Sequence, residues 1–139
     1  MSRFVLDCSV TMAWCFEDET DTYTDAVLEA LAGGEALVPC IWPLEVANVL
    51  VVGERRKRLT PAQSTRFVEL LQGLPVVVEA DSSQRPVAEI LSLARDLTLS
   101  AYDASYLDLA ARSGLPIATR DGGLASAAAR HGVARFQPG

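Results

Sequence analysis

Arg3-Phe4-Val5-Leu6-Asp7 is a short β-rich apolar run closed by an acid, and Tyr23 to Leu31 follows with the helical spacing of Ala26, Val27, Ala30 and Leu31 before Gly33-Gly34. Ala36-Leu37-Val38 then repeats the short apolar run. Strand, loop, helix, strand is the pattern of a crossover between parallel strands, which helices ordinarily make. Further along, Leu44 to Arg58 reads as a helix with Pro43 at its first position, which places Glu45 in the first turn. Thr60-Pro61-Ala62-Gln63 has the form of a capping box and opens a helix through Leu71 that Gly73 ends. Val76 to Glu79 reads as a strand, Pro86 to Leu97 as a helix, and Ser100 as the cap of a helix from Ala101 to Arg112 that Gly114 stops. Pro116 to Thr119 is strand-like, Leu124 to Arg130 is an alanine-rich helix ending at His131, and Val133 to Phe136 suggests a last strand. The expected architecture is α/β in three layers, a central mostly parallel sheet flanked by helices, as one domain over residues 1–139.

Composition narrows the chemistry. Half of the residues are apolar and 22% charged, enough for a packed core without disulfide staples. The three cysteines, Cys8, Cys15 and Cys40, contain no CxxC pair and read as buried free thiols of a reducing cytoplasm. With His131 as the one imidazole, His-rich metal centres are excluded. Charged residues interrupt every apolar run before membrane-spanning length, and Asp7 breaks any signal-like segment. Neither GxxxxGK, GxGxxG nor GxSxG occurs.

Four acids stand at strand ends or helix starts: Asp7, Glu45, Asp103 and Asp121. In a parallel α/β sheet such positions gather beyond the carboxyl ends of the strands, where ligands bind. Two unit charges about 4 Å apart repel by roughly 4 kcal/mol at an effective dielectric of about 20, so clustered carboxylates hold protons or bind a cation. An all-oxygen set selects Mg²⁺ or Mn²⁺ over zinc. Ser9, two residues after Asp7, points to the same side if the backbone is extended and could steady the carboxylate or a water. Thr119 stands in the same relation to Asp121, and Asn48 shares a helix face with Glu45. Each acid also has a plainer reading. Asp103 fits a capping box with Ser100, Glu45 is favoured by the helix dipole, and Asp121-Gly122 is a good turn. The case rests on the four together. Glu17-Asp18-Glu19 with Asp21 reads as a solvated loop and first turn, and Asp108, on another face of its helix from Asp103, as exposed.

The strings Val5-Leu6-Asp7-Cys8-Ser9-Val10, Pro43-Leu44-Glu45-Val46-Ala47-Asn48, Leu99-Ser100-Ala101-Tyr102-Asp103-Ala104-Ser105-Tyr106 and Ile117-Ala118-Thr119-Arg120-Asp121 together resemble PIN-domain proteins, most closely the VapC toxins of type II toxin–antitoxin pairs. The likeness runs through nearly the whole chain in order and spacing, including Trp14 and the acidic loop after it. It implies a three-layer PIN-like fold and a Mg²⁺- or Mn²⁺-dependent endoribonuclease that hydrolyses RNA phosphodiesters. It further implies inhibition by a small VapB-type antitoxin, a common homodimer, and no sequence-specific DNA contact by this chain itself. The acids of the family carry over as Asp7, Glu45, Asp103 and Asp121, with Ser9, Asn48 and Thr119 beside them.

A formal charge of −6 opposes approach to RNA unless local fields compensate. Arg55-Arg56-Lys57-Arg58 is a compact basic run that reads equally as a phosphate contact or as cations complementing a helix C-terminus. Arg85, Arg95, Arg112 and Arg120 could extend it. Trp14, Trp42, Phe67 and Tyr106 could stack on unpaired bases, although aromatic residues of small domains mainly bury area; Trp14 and Trp42 read as packing or dimer contacts. Two other functions compete: a catalytically silent PIN-fold binding module, and a HAD-type phosphatase using Asp7 in the string Asp7-Cys8-Ser9-Val10-Thr11. Ser9 in place of a second aspartate opposes the latter.

Overall fold

The computed structural model describes residues 1–139 and holds one four-stranded sheet, all parallel, flanked by seven α-helices. Strand β1 (Ser2–Leu6) pairs with β2 (Gly34–Val38) on one side and β4 (Ile117–Ala118) on the other, and β3 (Val76–Val78) forms the edge beyond β2. The order is therefore β3-β2-β1-β4. Phe4, Val5 and Leu6 are all fully buried. Successive strand side chains point to opposite faces, so both faces of β1 are covered, as an all-parallel sheet requires. Phe136 stacks on Phe4 with ring centroids 4.1 Å apart and ties the C-terminal segment to this core.

The expected α/β order holds, with local corrections. Helix α1 (Cys8–Ala13) stands where the sequence predicts a loop. Val10, Thr11, Met12 and Ala13 in it are all buried, so no polar face marks the helical period in the sequence. The next helix, α2 (Thr22–Ala30), runs into a short 3-10 turn at Leu31–Gly33. Helix α3 (Trp42–Arg55) begins one residue before Pro43 and ends before the basic run is complete. Lys57 takes a left-handed φ of 59°, its N–H donates to Glu54 O (3.0 Å), and the N–H of Arg58 donates to Gly53 O (2.8 Å). These bonds satisfy the last carbonyls and turn the chain out of the helix.

Helix α4 (Pro61–Gln72) shows both bonds of the expected Thr60 and Gln63 capping box. After α5 (Val87–Leu97), Ser100 caps α6 (Ala101–Ser113), and Gly114 ends it with φ 65°. Helix α7 (Gly122–Arg130) starts at Asp121 and ends at His131. Val133 to Phe136 is no full strand. It runs beside β4 with a single bridge between Ile117 and Arg135.

Among the thiols Cys8 is buried, but Cys15 is half-buried and Cys40 exposed, against the expectation of three buried cysteines. Asp108 is also not exposed as expected: Arg85 (2.9 Å), in the segment before α5, and Arg112 (3.0 Å), one turn further along α6, enclose its carboxylate. No helix is long and apolar enough to cross a membrane.

Gly34 opens β2 directly against β1, where a Cβ would stand 2.4 Å from Ser2 O and 2.9 Å from Ala30 O. Both atoms are backbone and cannot swing aside. Gly34→Ala should lower stability by about 1–3 kcal/mol in urea denaturation, because β1 and β2 must part to admit the methyl.

Candidate active site

The strand order reverses direction at β1, so the crevice between the carboxyl ends of β1 and β4 is the place where loops diverge and a ligand fits. Asp7 follows β1 there, only 5% exposed, and its N–H donates to Ala118 O of β4. It holds the cap position of α1 without making a side-chain capping bond. Instead its Oδ2 accepts from Ser9 Oγ (2.6 Å) and Thr119 Oγ1 (2.8 Å). Backbone donors fix which way those hydroxyl protons point. Arg120 N–H donates to Ser9 Oγ (3.1 Å) and Asp121 N–H to Thr119 Oγ1 (3.0 Å), so each hydroxyl accepts from the backbone and gives its own proton to Asp7. Such a cradle suits a carboxylate. Burial nonetheless lifts the Asp7 pKa above its ordinary value; the two hydroxyls lower it, and the charge of Asp121 raises it further.

Ser9 reaches Asp7 from the first turn of α1 and not from extended backbone, which corrects the expected geometry while keeping the contact. Thr119 serves the Asp7 carboxylate and not that of Asp121, whose backbone it accepts from. Asn48 does not steady Glu45: it is exposed and makes no side-chain hydrogen bond. The group that does is Tyr106, fully buried in α6, whose hydroxyl donates to Glu45 Oε1 at 2.6 Å. Glu45 is half-buried; burial raises its pKa, Tyr106 lowers it and the charge of Asp7 raises it. The sequence offered one usable signal for Tyr106, its place one helical turn from Asp103.

Asp103 lies in the first turn of α6, its N–H on Ser100 Oγ (3.1 Å). Its carboxyl is pushed up to about 6, first by burial and then by the charges of Asp7, Asp121 and Glu45. Asp121 caps α7 through Oδ1, which accepts from Gly123 N–H (2.8 Å) and Leu124 N–H (3.1 Å). The structure thus brings all four acids into one electrostatic neighbourhood, from β1, α3, α6 and the turn before α7. The Cys8 thiol beside them is pushed up to about 12, mainly by burial and then by Glu45 and Asp7, so it stays protonated and is no nucleophile.

The sequence matches the PIN domain family over residues 4–130. The chain belongs to the PIN-domain family. PIN domains are generally metal-dependent nucleases, which makes a hydrolase the coarse assignment. The crystal structure of PAE2754 from Pyrobaculum aerophilum is similar, with a TM-score of 0.67 at 24% identity over 91% of this chain and 79% of that one; it speaks for the fold. No curated protein matches the sequence.

For a divalent ion, the donor chemistry of this PIN domain fits. Every acid near the crevice offers hard oxygen. The hydroxyls of Ser9 and Thr119 share Oδ2 of Asp7, Tyr106 bonds Oε1 of Glu45, and the backbone donors of α7 bond Oδ1 of Asp121, so no side-chain donor occupies the other oxygen of any of the three. As they stand, no three acidic, His or Cys side chains converge tightly enough to close around an ion. They lie at the spacing of groups that repel one another, near enough to shift each other's protonation.

Around the crevice, several expected groups are engaged elsewhere. Trp42, whose indole donates to Thr11 Oγ1 (3.0 Å), is buried with Phe67 and Tyr106, so these three pack; Trp14 is half-buried and its indole donates to Thr24 O (2.8 Å). Arg58 pairs with Asp18 (3.0 Å) and Glu19 (3.2 Å) and lies over the Phe16 ring, and Arg112 also reaches Glu79. Arg120 pairs with Asp21 (3.5 Å) and Glu19 (3.8 Å), so the acidic loop is more than a solvated turn and lies beside the segment that carries Thr119 and Asp121.

Because the folded chain holds the Asp103 proton up to about 6 against an ordinary 3.8, it binds more protons than the unfolded chain between those values. Stability therefore falls as pH rises through that window, and the penalty stands in full above it. Asp103→Asn should raise metal-free stability at about pH 7.5 by about 1 kcal/mol, the water around the half-buried carboxyl screening the rest, and give no gain near pH 3.5. Urea titrations at the two pH values check this.

Proposed function

We propose that this PIN domain is a Mg²⁺- or Mn²⁺-dependent endoribonuclease and the toxin of a type II toxin–antitoxin pair. The observation that carries the nuclease part is the gathering of Asp7, Glu45, Asp103 and Asp121 in one crevice, where the charges of the other three add to burial in raising the pKa of Asp103. In this reading the four carboxylates hold one or two divalent ions. A bound ion supplies the positive charge that activates water and stabilises the leaving oxygen of the phosphodiester. Ser9 and Thr119 keep Asp7 an acceptor, Tyr106 fixes Glu45, and the cap bonds of Asp121 fix its carboxylate at the start of α7. No imidazole takes part.

Charge on the RNA side is answered by Arg55, Arg56 and Lys57, which make no ion pair and lie at the far end of α3, about 15 Å along the helix from Glu45. Arg58 is less available because Asp18 and Glu19 hold it. Two uncovered apolar features support the partner and dimer parts of the proposal. A groove of about 550 Å³ between α3 and α4, lined by Val46, Leu50, Val68 and Leu71, contains the buried Ser64 hydroxyl with no hydrogen-bond partner and fits an antitoxin segment. The outer face of α5 exposes Val87 and Leu91 and fits a second copy. The HAD-type reading loses its support, since Ser9 is a hydrogen-bond donor to Asp7 and the family is another.

The test is incubation of the purified chain with total RNA in Mg²⁺, Mn²⁺ or chelator, with the cut ends mapped. Water as nucleophile gives 5′-phosphate and 3′-hydroxyl ends; attack by the ribose 2′-hydroxyl gives a cyclic phosphate and contradicts the mechanism. Asp7→Asn and Asp103→Asn should each reduce cutting about a hundredfold or more in a folded protein. Metal binding without cutting of any RNA would favour the silent binding module. Neutralising Arg55 and Arg56 together should lower the slope of log affinity against log salt by roughly 1.4, as expected for two lost phosphate contacts on a single strand.

A further inference from the structure

Beside the four acids lies a concavity of about 460 Å³ bounded by Ile41, Leu44, Glu45, Asn48 and Tyr102. It shares Glu45 with the cluster, and its far wall carries the residue directly before Asp103. Tyr102 is 60% exposed and Leu44 67%, an unusual amount of apolar surface next to carboxylates. Tyr102 is also the one large aromatic among the exposed hydrophobic residues; the tryptophans and Tyr106 are engaged in packing and hydrogen bonds. Asn48 presents an amide, both donor and acceptor, that nothing in the chain uses.

We propose that this concavity is a base-recognition subsite, in which one unpaired nucleobase of the RNA stacks on Tyr102 against Leu44 while Asn48 hydrogen-bonds its edge. The proposal rests on the nuclease reading and adds where that enzyme reads its substrate. Single-stranded RNA is recognised by splaying out a base, stacking it on an aromatic ring and hydrogen-bonding its edge, and the three chemistries needed stand together here. Adjacency explains the choice of occupant. A phosphodiester held at the four acids must place one of its flanking nucleosides within reach of Glu45, and the wall at that point is apolar and amide-lined.

Substitutions of such exposed side chains leave the core intact. Binding is measured by fluorescence anisotropy of labelled oligo(A), oligo(C) and oligo(U), with the chain carrying Asp7→Asn so that nothing is cut, and cut sites in total RNA are mapped with the otherwise unaltered chain. Tyr102→Ala should weaken binding about 5- to 100-fold, and Tyr102→Phe, which keeps the ring, should restore it. Asn48→Ala should bind nearly as tightly but lose about tenfold of the preference among the bases, visible as new cut sites. Unchanged binding and an unchanged cut pattern in Tyr102→Ala and Asn48→Ala overturn the subsite while the nuclease reading stands. If cutting persists but the two variants lose self-association or a protein partner, the patch is a protein interface and the subsite is overturned. An unaltered chain that neither binds nor cuts RNA overturns both.

Discussion

Repulsion among four carboxylates gathered in one crevice is the constraint that the rest of the structure answers. Every one of them stands at the start of a helix: Asp7 before α1, Glu45 in the first turn of α3, Asp103 in the first turn of α6 and Asp121 before α7. A parallel sheet sends its helices away from the carboxyl edge of the strands along crossing connections, so helix N-termini collect where the acids collect. Each N-terminus carries partial positive charge and unpaired N–H groups, which offset the negative charges beside it. The offset is incomplete: burial lifts the pKa of Asp103 first, the charges of Asp7, Asp121 and Glu45 lift it further, and that repulsion is what a divalent cation would relieve.

Asp7 needs more than a dipole because it is buried. An ionised carboxylate taken out of water is tolerable only with donors around it. Ser9 and Thr119 supply them from segments 110 residues apart, and backbone N–H groups in turn orient both hydroxyls. Thr119 thereby does three things at once. It donates to Asp7, accepts from Asp121, and through its carbonyl accepts from Arg135 Nε (3.1 Å), whose guanidinium lies over the Tyr23 ring. The site and the closure of the C-terminal segment on β4 share one residue.

This division explains what could be read in the sequence. Caps and stops are local chemistry, so Thr60 with Gln63, Ser100, Gly114 and the helix start at Asp121 all stand where their residue types put them. The four acids were legible for the same reason, being strand-end or helix-start residues. Helix α1 was not, since it is buried all round and carries no polar stripe. Nor were Tyr106 on Glu45, the engagement of Arg58 by Asp18, or the enclosure of Asp108. Those are pairings 61, 40 and 23 residues apart; the place of Tyr106 one turn from Asp103 puts it near the acids without naming Glu45 as its partner, and nothing in local spacing distinguishes Asp108 from a surface acid. Asn48 failed in the opposite sense: sharing a helix face with Glu45 does not bring two side chains into contact when a buried hydroxyl already holds the carboxylate.

The plain and the functional readings of the charged residues also turn out not to compete. In α3, an acid in the first turn and cations at the end are each favoured by the helix dipole without any substrate. That same preference makes α3 a rod with opposite charges at its ends, Glu45 in the crevice and Arg55, Arg56 and Lys57 at the far turn. A polyanion laid along it would meet cations at one end while its phosphodiester met the acids at the other only with a divalent ion between them. The overall charge of −6 is thus a poor guide to RNA approach, because the local field along α3 changes sign between the crevice and the far turn. A cap residue such as Asp121 serves the fold with one carboxylate oxygen and makes no hydrogen bond with the other.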